Sequence, residues 1–254
     1  MHKLFALAFL MVPGMASAQE GRIAFSRSVQ YEFEIPERLP QEFRDQIPTT
    51  NVDEFLYFFN AGESVMLPAP VPEEELSQQD RRMQGFAMRM RMMSASRSDQ
   101  EELIYSYVNF ADGVMAETKD FLGRRFLISA ERPAYAWALG SEQRQYLDYV
   151  VQKATAVHDG SEVEAWFTMQ IPVQGGPGPY GGLPGMILLV TVDGGKTVYA
   201  ASDVALDGLK GYEIGAPDEG EMVTPEEYEE MVVEKLEEIQ IEMRSRGGNR
   251  RRPF

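Results

Sequence analysis

A chain of 254 residues with no cysteine and two histidines excludes several kinds of chemistry at once. It can form no disulfide, carry no lipid on a cysteine and use no thiol nucleophile. Its net charge of −16 would repel the phosphates of nucleic acids and of anionic lipids, so we expect neither as a bulk partner.

The N-terminus has the pattern of a secretory signal peptide. Lys3 supplies the positive charge, residues 4–12 form an apolar run of 9 residues, and Ala16-Ser17-Ala18 is a small-x-small cleavage site. A membrane-spanning helix needs about 20 apolar residues, so this run is too short to span a bilayer. We expect cleavage of residues 1–18, a mature chain that begins at Gln19 and has no stable membrane span, and a periplasmic or secreted location.

The first mature segment alternates apolar and polar side chains, which is typical of a long, half-buried β-strand. Arg27 is the one interruption of the apolar face, and Pro36 ends the pattern. The residues on the apolar face are Ile23, Phe25, Val29, Tyr31, Phe33 and Ile35.

Further strand patterns follow in pairs, separated by short turns such as Asn60-Ala61-Gly62, Asp112-Gly113 and Asp159-Gly160. Because every connection is short and contains no helix, we expect an antiparallel meander and not a parallel sheet. The predicted strands are residues 55–59, 64–67, 103–110, 114–118, 125–130, 135–139, 149–157, 163–170, 186–192 and 197–206.

Residues 68–101 differ from the rest in composition. They have almost no aromatic or β-branched side chains, so they cannot bury enough apolar surface to offset the entropy of ordering, and we predict a mobile insertion. Thioethers are soft ligands that select Cu(I), so a metal site is one hypothesis for this segment. The interleaved arginines Arg81, Arg82, Arg89 and Arg91 oppose a bound cation, and our prediction is no metal and no cofactor. The candidate sulfur ligands are Met83, Met88, Met90, Met92 and Met93.

The chain closes with a predicted amphipathic helix over residues 223–246. Thr224 can act as its N-cap, Pro225 as its first residue and Glu227 as the partner in a capping box. Gly247-Gly248 should stop the helix, and residues 247–254 are predicted to form a basic, disordered tail. The apolar stripe of the helix is Tyr228, Met231, Val232, Leu236, Ile239 and Met243.

A glycine- and proline-rich segment between two predicted strands carries a family resemblance. Its pattern is a strand with Trp166, then Ile171-Pro172, Gly176-Pro177 and finally Gly182-Leu183-Pro184-Gly185. In this pattern the chain resembles the GLPGLI family, exported proteins best known from Bacteroidetes, over roughly residues 121–192. The resemblance implies export and a curved antiparallel sheet, and it implies no activity. Met186 replaces the second leucine of the motif, and Val151 stands where many family members have a cysteine.

Two interpretations of this segment remain open. In the first, Gly182, Leu183, Pro184 and Gly185 form a structural corner, in which the glycines permit positive φ, the prolines fix φ and Leu183 fills the core. In the second, the segment borders a concavity in which Trp166 and Tyr180 are exposed, and Trp166, Tyr180, Leu183 and Pro184 contact a ligand or partner.

The predicted fold is all-β with one C-terminal α-helix: a single domain over residues 19–222, built as one curved antiparallel sheet or a partly open barrel of hairpins. We expect a non-catalytic exported envelope protein whose sheet binds an apolar ligand or a segment of a partner protein. His2 belongs to the leader and His158 to a predicted exposed turn, which excludes a Ser-His-Asp triad or a histidine zinc site. Cu(I) binding by the methionines and a hydrolase that uses carboxylates are the alternatives.

Overall fold

A computed structural model of the protein describes residues 20–30, 50–70 and 101–248. They form twelve strands, a one-turn 3-10 helix (Asp193–Gly195) and one long helix, α1 (Pro225–Gly248), which confirms the predicted fold class. The strands are β1 (Gly21–Gln30), β2 (Thr50–Phe59), β3 (Glu63–Pro68), β4 (Glu101–Asn109), β5 (Val114–Phe121), β6 (Arg124–Glu131), β7 (Ala138–Tyr146), β8 (Tyr149–His158), β9 (Ser161–Thr168), β10 (Met186–Val192), β11 (Thr197–Ala205) and β12 (Glu221–Val223).

All twelve strands belong to one sheet in the order β12-β6-β5-β4-β3-β2-β1-β11-β10-β9-β8-β7. Strand β1 lies between two hairpin meanders, and it pairs antiparallel with β2 on one side and with β11 on the other. The predicted antiparallel meander is confirmed for these strands. Strand β12 departs from it, because it pairs with β6 in parallel, and its three residues give no strand pattern in the sequence.

The connection between β6 and β7 forces the sheet to curl. These strands stand ten positions apart in the sheet, which in a flat sheet is about 48 Å at about 4.8 Å per strand. Only residues 132–137 join them, and seven Cα–Cα steps reach at most about 27 Å. The two ends of the sheet must therefore approach each other, so the sheet wraps around an inner face without closing.

The inner face carries the core that the alternating pattern predicts. Ile23 and Phe25 of β1 are fully buried, and Tyr57 of β2 is 2% exposed beside them. Arg27 lies on the same face, where its guanidinium contacts Asp53 at 2.6 Å and lies 5.2 Å from the centroid of the Phe55 ring. Arg27 therefore interrupts the apolar pattern with a partly buried charge, and the ion pair with Asp53 compensates for its burial.

One predicted strand is wrong. Residues 135–137 belong to the connection, and strand β7 begins only at Ala138 and runs to Tyr146. The large-small alternation from Tyr135 to Ala138 is real, but residues 135–137 pair with no neighbouring strand among those described, and the pairing with β8 begins at Ala138. An alternation of large and small side chains shows that the chain is extended and has two different faces. It does not show that the segment pairs with a neighbouring strand, which a β-strand requires.

Helix α1 begins with the predicted capping box. The backbone N–H of Glu227 donates to Thr224 Oγ1 at 3.1 Å, and the backbone N–H of Thr224 donates to Glu227 Oε2 at 2.9 Å. Tyr228 and Val232 are buried against Phe121, Phe126 and Ile128 of β5 and β6. The apolar stripe therefore packs on the sheet in the first half of the helix.

Several predictions fall on residues that the structure does not describe. They are the signal peptide (1–18), most of the insertion (71–100), including all five candidate methionines, and the last residues of the basic tail (249–254). Within the described ranges, no helix is both long enough and apolar enough to span a membrane.

The capping box gives a first prediction. Replacing Thr224 by alanine removes the acceptor for the N–H of Glu227, and we expect a loss of about 1 kcal/mol in the free energy of unfolding. Urea unfolding followed by circular dichroism would measure it. Thr224→Ser keeps the hydroxyl and should retain most of the stability. Equal stabilities for the wild type and the alanine variant would contradict the cap.

Candidate functional site

The glycine- and proline-rich segment, residues 169–185, crosses from the end of β9 to the start of β10. It lies against the inner face, because Ile171, Val173 and Leu183 are 0%, 4% and 1% exposed within the main core cluster. The backbone N–H of Met186 donates to the carbonyl of Ile171 at 2.9 Å. We call residues 169–185 the crossing segment, and it fills the core from a loop.

Two glycines of the motif are required for different reasons. Gly182 has φ +81°, a conformation that side chains with a Cβ adopt only at a cost. At Gly185 a Cβ would lie 2.1 Å from the carbonyl oxygen of Thr168, which is backbone and cannot move aside. The interpretation of this motif as a structural corner is thus supported by both conformation and packing.

Arg132 and Trp137, from the two ends of the β6–β7 connection, hold the crossing segment. The Arg132 guanidinium donates to the carbonyls of Tyr180 at 2.8 Å and of Gln174 at 3.2 Å. The indole N–H of Trp137 donates to the carbonyl of Gly181 at 2.8 Å. Burial lowers the pKa of Arg132, but an arginine stays protonated in proteins, so its donors remain available to the loop carbonyls.

The structure separates the four predicted contact residues. Leu183 is buried in the core and Pro184 is exposed, while Tyr180 is half-buried. The expectation that Trp166 is exposed is wrong, because it is only 6% exposed. The guanidinium of Arg144, on β7, reaches across β8 and lies 4.0 Å from the centroid of its ring on β9. Leu183 and Trp166 can therefore act only by positioning other groups.

Tyr180 belongs to a row of aromatic rings that we call the aromatic strip. Its ring centroid lies 5.5 Å from that of Tyr135 and 5.7 Å from that of Tyr199. Tyr135 also stacks on Trp137, with ring centroids 5.1 Å apart, and contacts His158 in a tilted arrangement at 4.7 Å. His158 was expected to be an exposed turn residue, and it is half-buried by this contact. Burial raises the pKa of Tyr135 to about 12, so its phenol stays neutral at physiological pH.

A groove of about 530 Å³ lies on the other side of the same connection. Ala136 and Ala138 line this groove, while the alternating residues Tyr135 and Trp137 pack on the core. Its floor is apolar, with Val157 68% exposed. We call it the β7 groove; its lining includes Ala136, Ala138, Val157, Glu162, Glu164 and Thr191.

Two carboxylates give the β7 groove its charge. Glu164 accepts hydrogen bonds at 2.8 Å from the Lys153 ammonium and the Trp166 indole. Burial opposes ionisation of Glu164, but these two donors outweigh it and lower the pKa of the carboxyl. Glu162 forms no ion pair with any described residue. Trp166 therefore positions one groove carboxylate, and the other is available to a bound cation.

A second pair of carboxylates lies beneath α1. Glu101 and Glu117 both contact the Lys119 ammonium, at 3.2 and 3.1 Å. Burial opposes the charge on Lys119, and the two carboxylates outweigh it and raise the pKa of the lysine. The two carboxylates thus share one lysine cation. Within residues 20–30, 50–70 and 101–248, no group of three or more His, Cys, Asp or Glu side chains could hold a metal ion.

Sequence reasoning missed the β7 groove because it assigned residues 135–139 to a strand of the sheet. The pattern Tyr-Ala-Trp-Ala is itself the signal: two large rings on one side of an extended chain and two small side chains on the other. Pro133, directly before this pattern, was the indication that the segment is a connection, because a proline cannot donate to a neighbouring strand.

Comparisons with known proteins find similarity to a family model over part of the chain and to a solved fold. A family model described as "Protein of unknown function (Porph_ging)" matches residues 156–189, which span β9 and the crossing segment. Two solved structures of PNGF-II, in the P21 and C2 space groups, are similar with a TM-score of 0.50 and 16% and 17% identity. The similar region includes 85% of this chain but only 33% of each PNGF-II chain. At this sequence identity the similarity shows the fold alone. No curated protein matches the chain.

The crossing segment gives the second prediction. We expect Gly185→Ala to lower the free energy of unfolding by at least about 2 kcal/mol, because the added methyl meets the carbonyl of Thr168. Gly182→Ala should cost about 1–2 kcal/mol through its positive φ. Gly215→Ala is the matched control, since a Cβ there meets open space and should change little. Chemical denaturation would measure all three, and a Gly185→Ala variant as stable as the control would contradict the close packing.

Proposed function

We propose that this protein is a non-catalytic binding module of the cell envelope that captures an extended segment of a partner protein at the β7 groove. The β7 groove itself carries the proposal: about 530 Å³ of open space with an apolar floor and two carboxylates beside an edge strand. Such a volume lies within the range of specific binding sites.

Strand β7 begins at the groove and offers an open edge near it, which favours an extended segment as the occupant. Among the described strands it is the last in the sheet and pairs only with β8, so its free side, which faces away from the groove residues of β8 and β9, can accept a strand from another chain. The register shifts between Leu139 and Gln143, which breaks the ladder. An interrupted edge disfavours stacking of identical chains and suits a short incoming segment.

The lining specifies the chemistry of that segment. Val157, Ala136 and Ala138 offer an apolar surface for one anchoring side chain. Glu162 has no ion-pair partner among the described residues, so a lysine or arginine beside the anchor would gain an ion pair. We therefore propose an extended segment with an apolar anchor and a neighbouring basic residue.

The residues expected from the sequence take different parts in this proposal. Trp166 orients Glu164, and Tyr180 supports Tyr135 on the inner side of the connection. Leu183 and the motif Gly182-Leu183-Pro184-Gly185 hold the crossing segment, and Pro184 is exposed but does not line the β7 groove. No observation on the described residues favours Cu(I) binding or hydrolysis, because the methionines lie outside them and Glu101 and Glu117 meet on Lys119.

We also propose that the chain is a GLPGLI family protein, exported after cleavage near Ala18. The motif Gly182-Leu183-Pro184-Gly185 lies within the residues that the family model matches, which supports the first part. The charge, apolar run and cleavage pattern of residues 1–18 support the second. The mass of the exported protein should correspond to a chain that begins at Gln19, and a mass that includes residues 1–18 would contradict the cleavage.

Selection of displayed peptides on the mature protein tests the proposed binding. Enriched peptides should carry an apolar residue next to lysine or arginine. Val157→Arg should weaken a synthetic peptide of that sequence at least tenfold, since it fills the groove floor and repels the basic residue. Fluorescence anisotropy would measure the dissociation constant.

The control is Val52→Arg, an exposed valine on β2 away from the groove. It should leave the affinity unchanged. Equal losses in both variants would contradict the site. If no peptide is enriched but a fluorescent fatty-acid probe binds the wild type and not Val157→Arg, the occupant is an apolar ligand and not a partner segment.

A further inference from the structure

Helix α1 continues well beyond the surface that it packs on. Its 24 residues extend for about 36 Å at about 1.5 Å per residue. Tyr228 and Val232 are buried, but Val233, which points away from the sheet, and Ile241, in the second half of the helix, are 47% and 66% exposed. Ile239, on the apolar stripe, is only half-buried. The helix thus presents apolar side chains that the described residues leave uncovered.

The same helix carries a large excess of negative charge. Residues 225–243 contain eight glutamates and one lysine, and that lysine, Lys235, pairs with Glu238 at 2.6 Å. Glu226, Glu230 and Glu234 follow one another at intervals of four residues, so their charges repel along one row of the helix. A basic segment along this row would relieve the repulsion.

A cleft of about 340 Å³ lies between α1 and strands β5 and β6. Phe121, Phe126 and Met231 give it an apolar wall, and the charged residues Arg124, Glu234, Lys235 and Glu238 also line it. Arg124 pairs with Glu221, and Lys235 pairs with Glu238. Glu234 forms no ion pair with a described residue. Methionine is unbranched and adaptable and makes favourable contacts with aromatic rings. The cleft therefore suits a methionine with a cation next to it.

We propose that residues 81–93 of the same chain dock on this face of α1, with methionines in the cleft and against Val233 and Ile241, and with arginines against the glutamate row. The composition is complementary: this stretch holds four arginines, five methionines and no acidic residue. The arginines between the methionines oppose a metal site, and docking on α1 gives them a role. This proposal does not depend on the function proposed for the β7 groove.

The start of β4, which residues 81–93 precede in the chain, lies next to the start of α1. Glu101 accepts a hydrogen bond at 3.1 Å from the hydroxyl of Tyr228 in the first turn of α1. Residue 93 is eight residues before Glu101, and eight residues extend up to about 27 Å. From Tyr228 to Ile241 the helix rises about 20 Å, so the exposed half is within reach.

The absence of cysteine allows a direct distance measurement, because two introduced cysteines are the only labelling sites. We would place spin labels at Met90→Cys and Val233→Cys in the full mature chain and measure their separation by electron double resonance. Docking predicts a narrow distribution centred below about 30 Å, the scale of one helix diameter plus the two label arms. A broad distribution in this parent protein would overturn the proposal.

Charge reversal tests what holds the segment. Arg89→Glu with Arg91→Glu should broaden the distribution, and adding Glu230→Arg with Glu234→Arg should narrow it again. The control, Arg250→Glu with Arg251→Glu, changes the net charge equally in the tail and should leave the distribution unchanged. No broadening on reversal, or equal broadening in the control, would overturn the proposal. A dipolar signal between two singly labelled proteins in a mixture would overturn it too, in favour of docking by a second copy.

Discussion

The short connection between β6 and β7 is the constraint on which the rest of the structure depends. It joins strands at opposite ends of the sheet with six residues, so the sheet can only exist curled. The curl creates an inner face, and the crossing segment fills it. A buried loop has backbone carbonyls that need donors, and Arg132 and Trp137 of the connection supply them. The curled sheet, the buried crossing segment and the hydrogen bonds to its carbonyls therefore all depend on the same short connection.

The same connection accounts for the position of the β7 groove. By carrying the chain to the far end of the sheet, it makes β7 an edge strand, and one side of that strand has no neighbour within residues 20–30, 50–70 and 101–248. Its own alternation places Tyr135 and Trp137 on the core and Ala136 and Ala138 on the groove. The opposite end of the sheet differs, because β12 ends it with only three paired residues. The two edges are thus unequal, and the long one lies beside the groove.

Local features of the fold could be predicted from the sequence, and long-range ones could not. The hairpin at Asn60, the capping box at Thr224 and the corner at Gly182 each depend on a few neighbouring residues whose chemistry is visible in the chain. The pairing of β1 with β11 joins residues far apart in sequence, such as Phe25 and Ala201. Exposure of Trp166 belonged to one of the two interpretations of the crossing segment, and its burial could not be predicted because the arginine that covers it comes from β7, a strand whose limits were predicted wrongly.

Both proposed binding surfaces depend on where the charges lie in the chain. The net charge of −16 does not show this distribution: glutamates are concentrated in α1, and arginines are concentrated in residues 81–93 and in the tail. The residues that the family model matches, 156–189, mainly build the crossing segment and the strands beside it. Ala136, Ala138 and all of α1 lie outside that match. A chain that shares only the crossing segment should therefore share the curled core, while its groove and its helix can carry a different chemistry on the same frame.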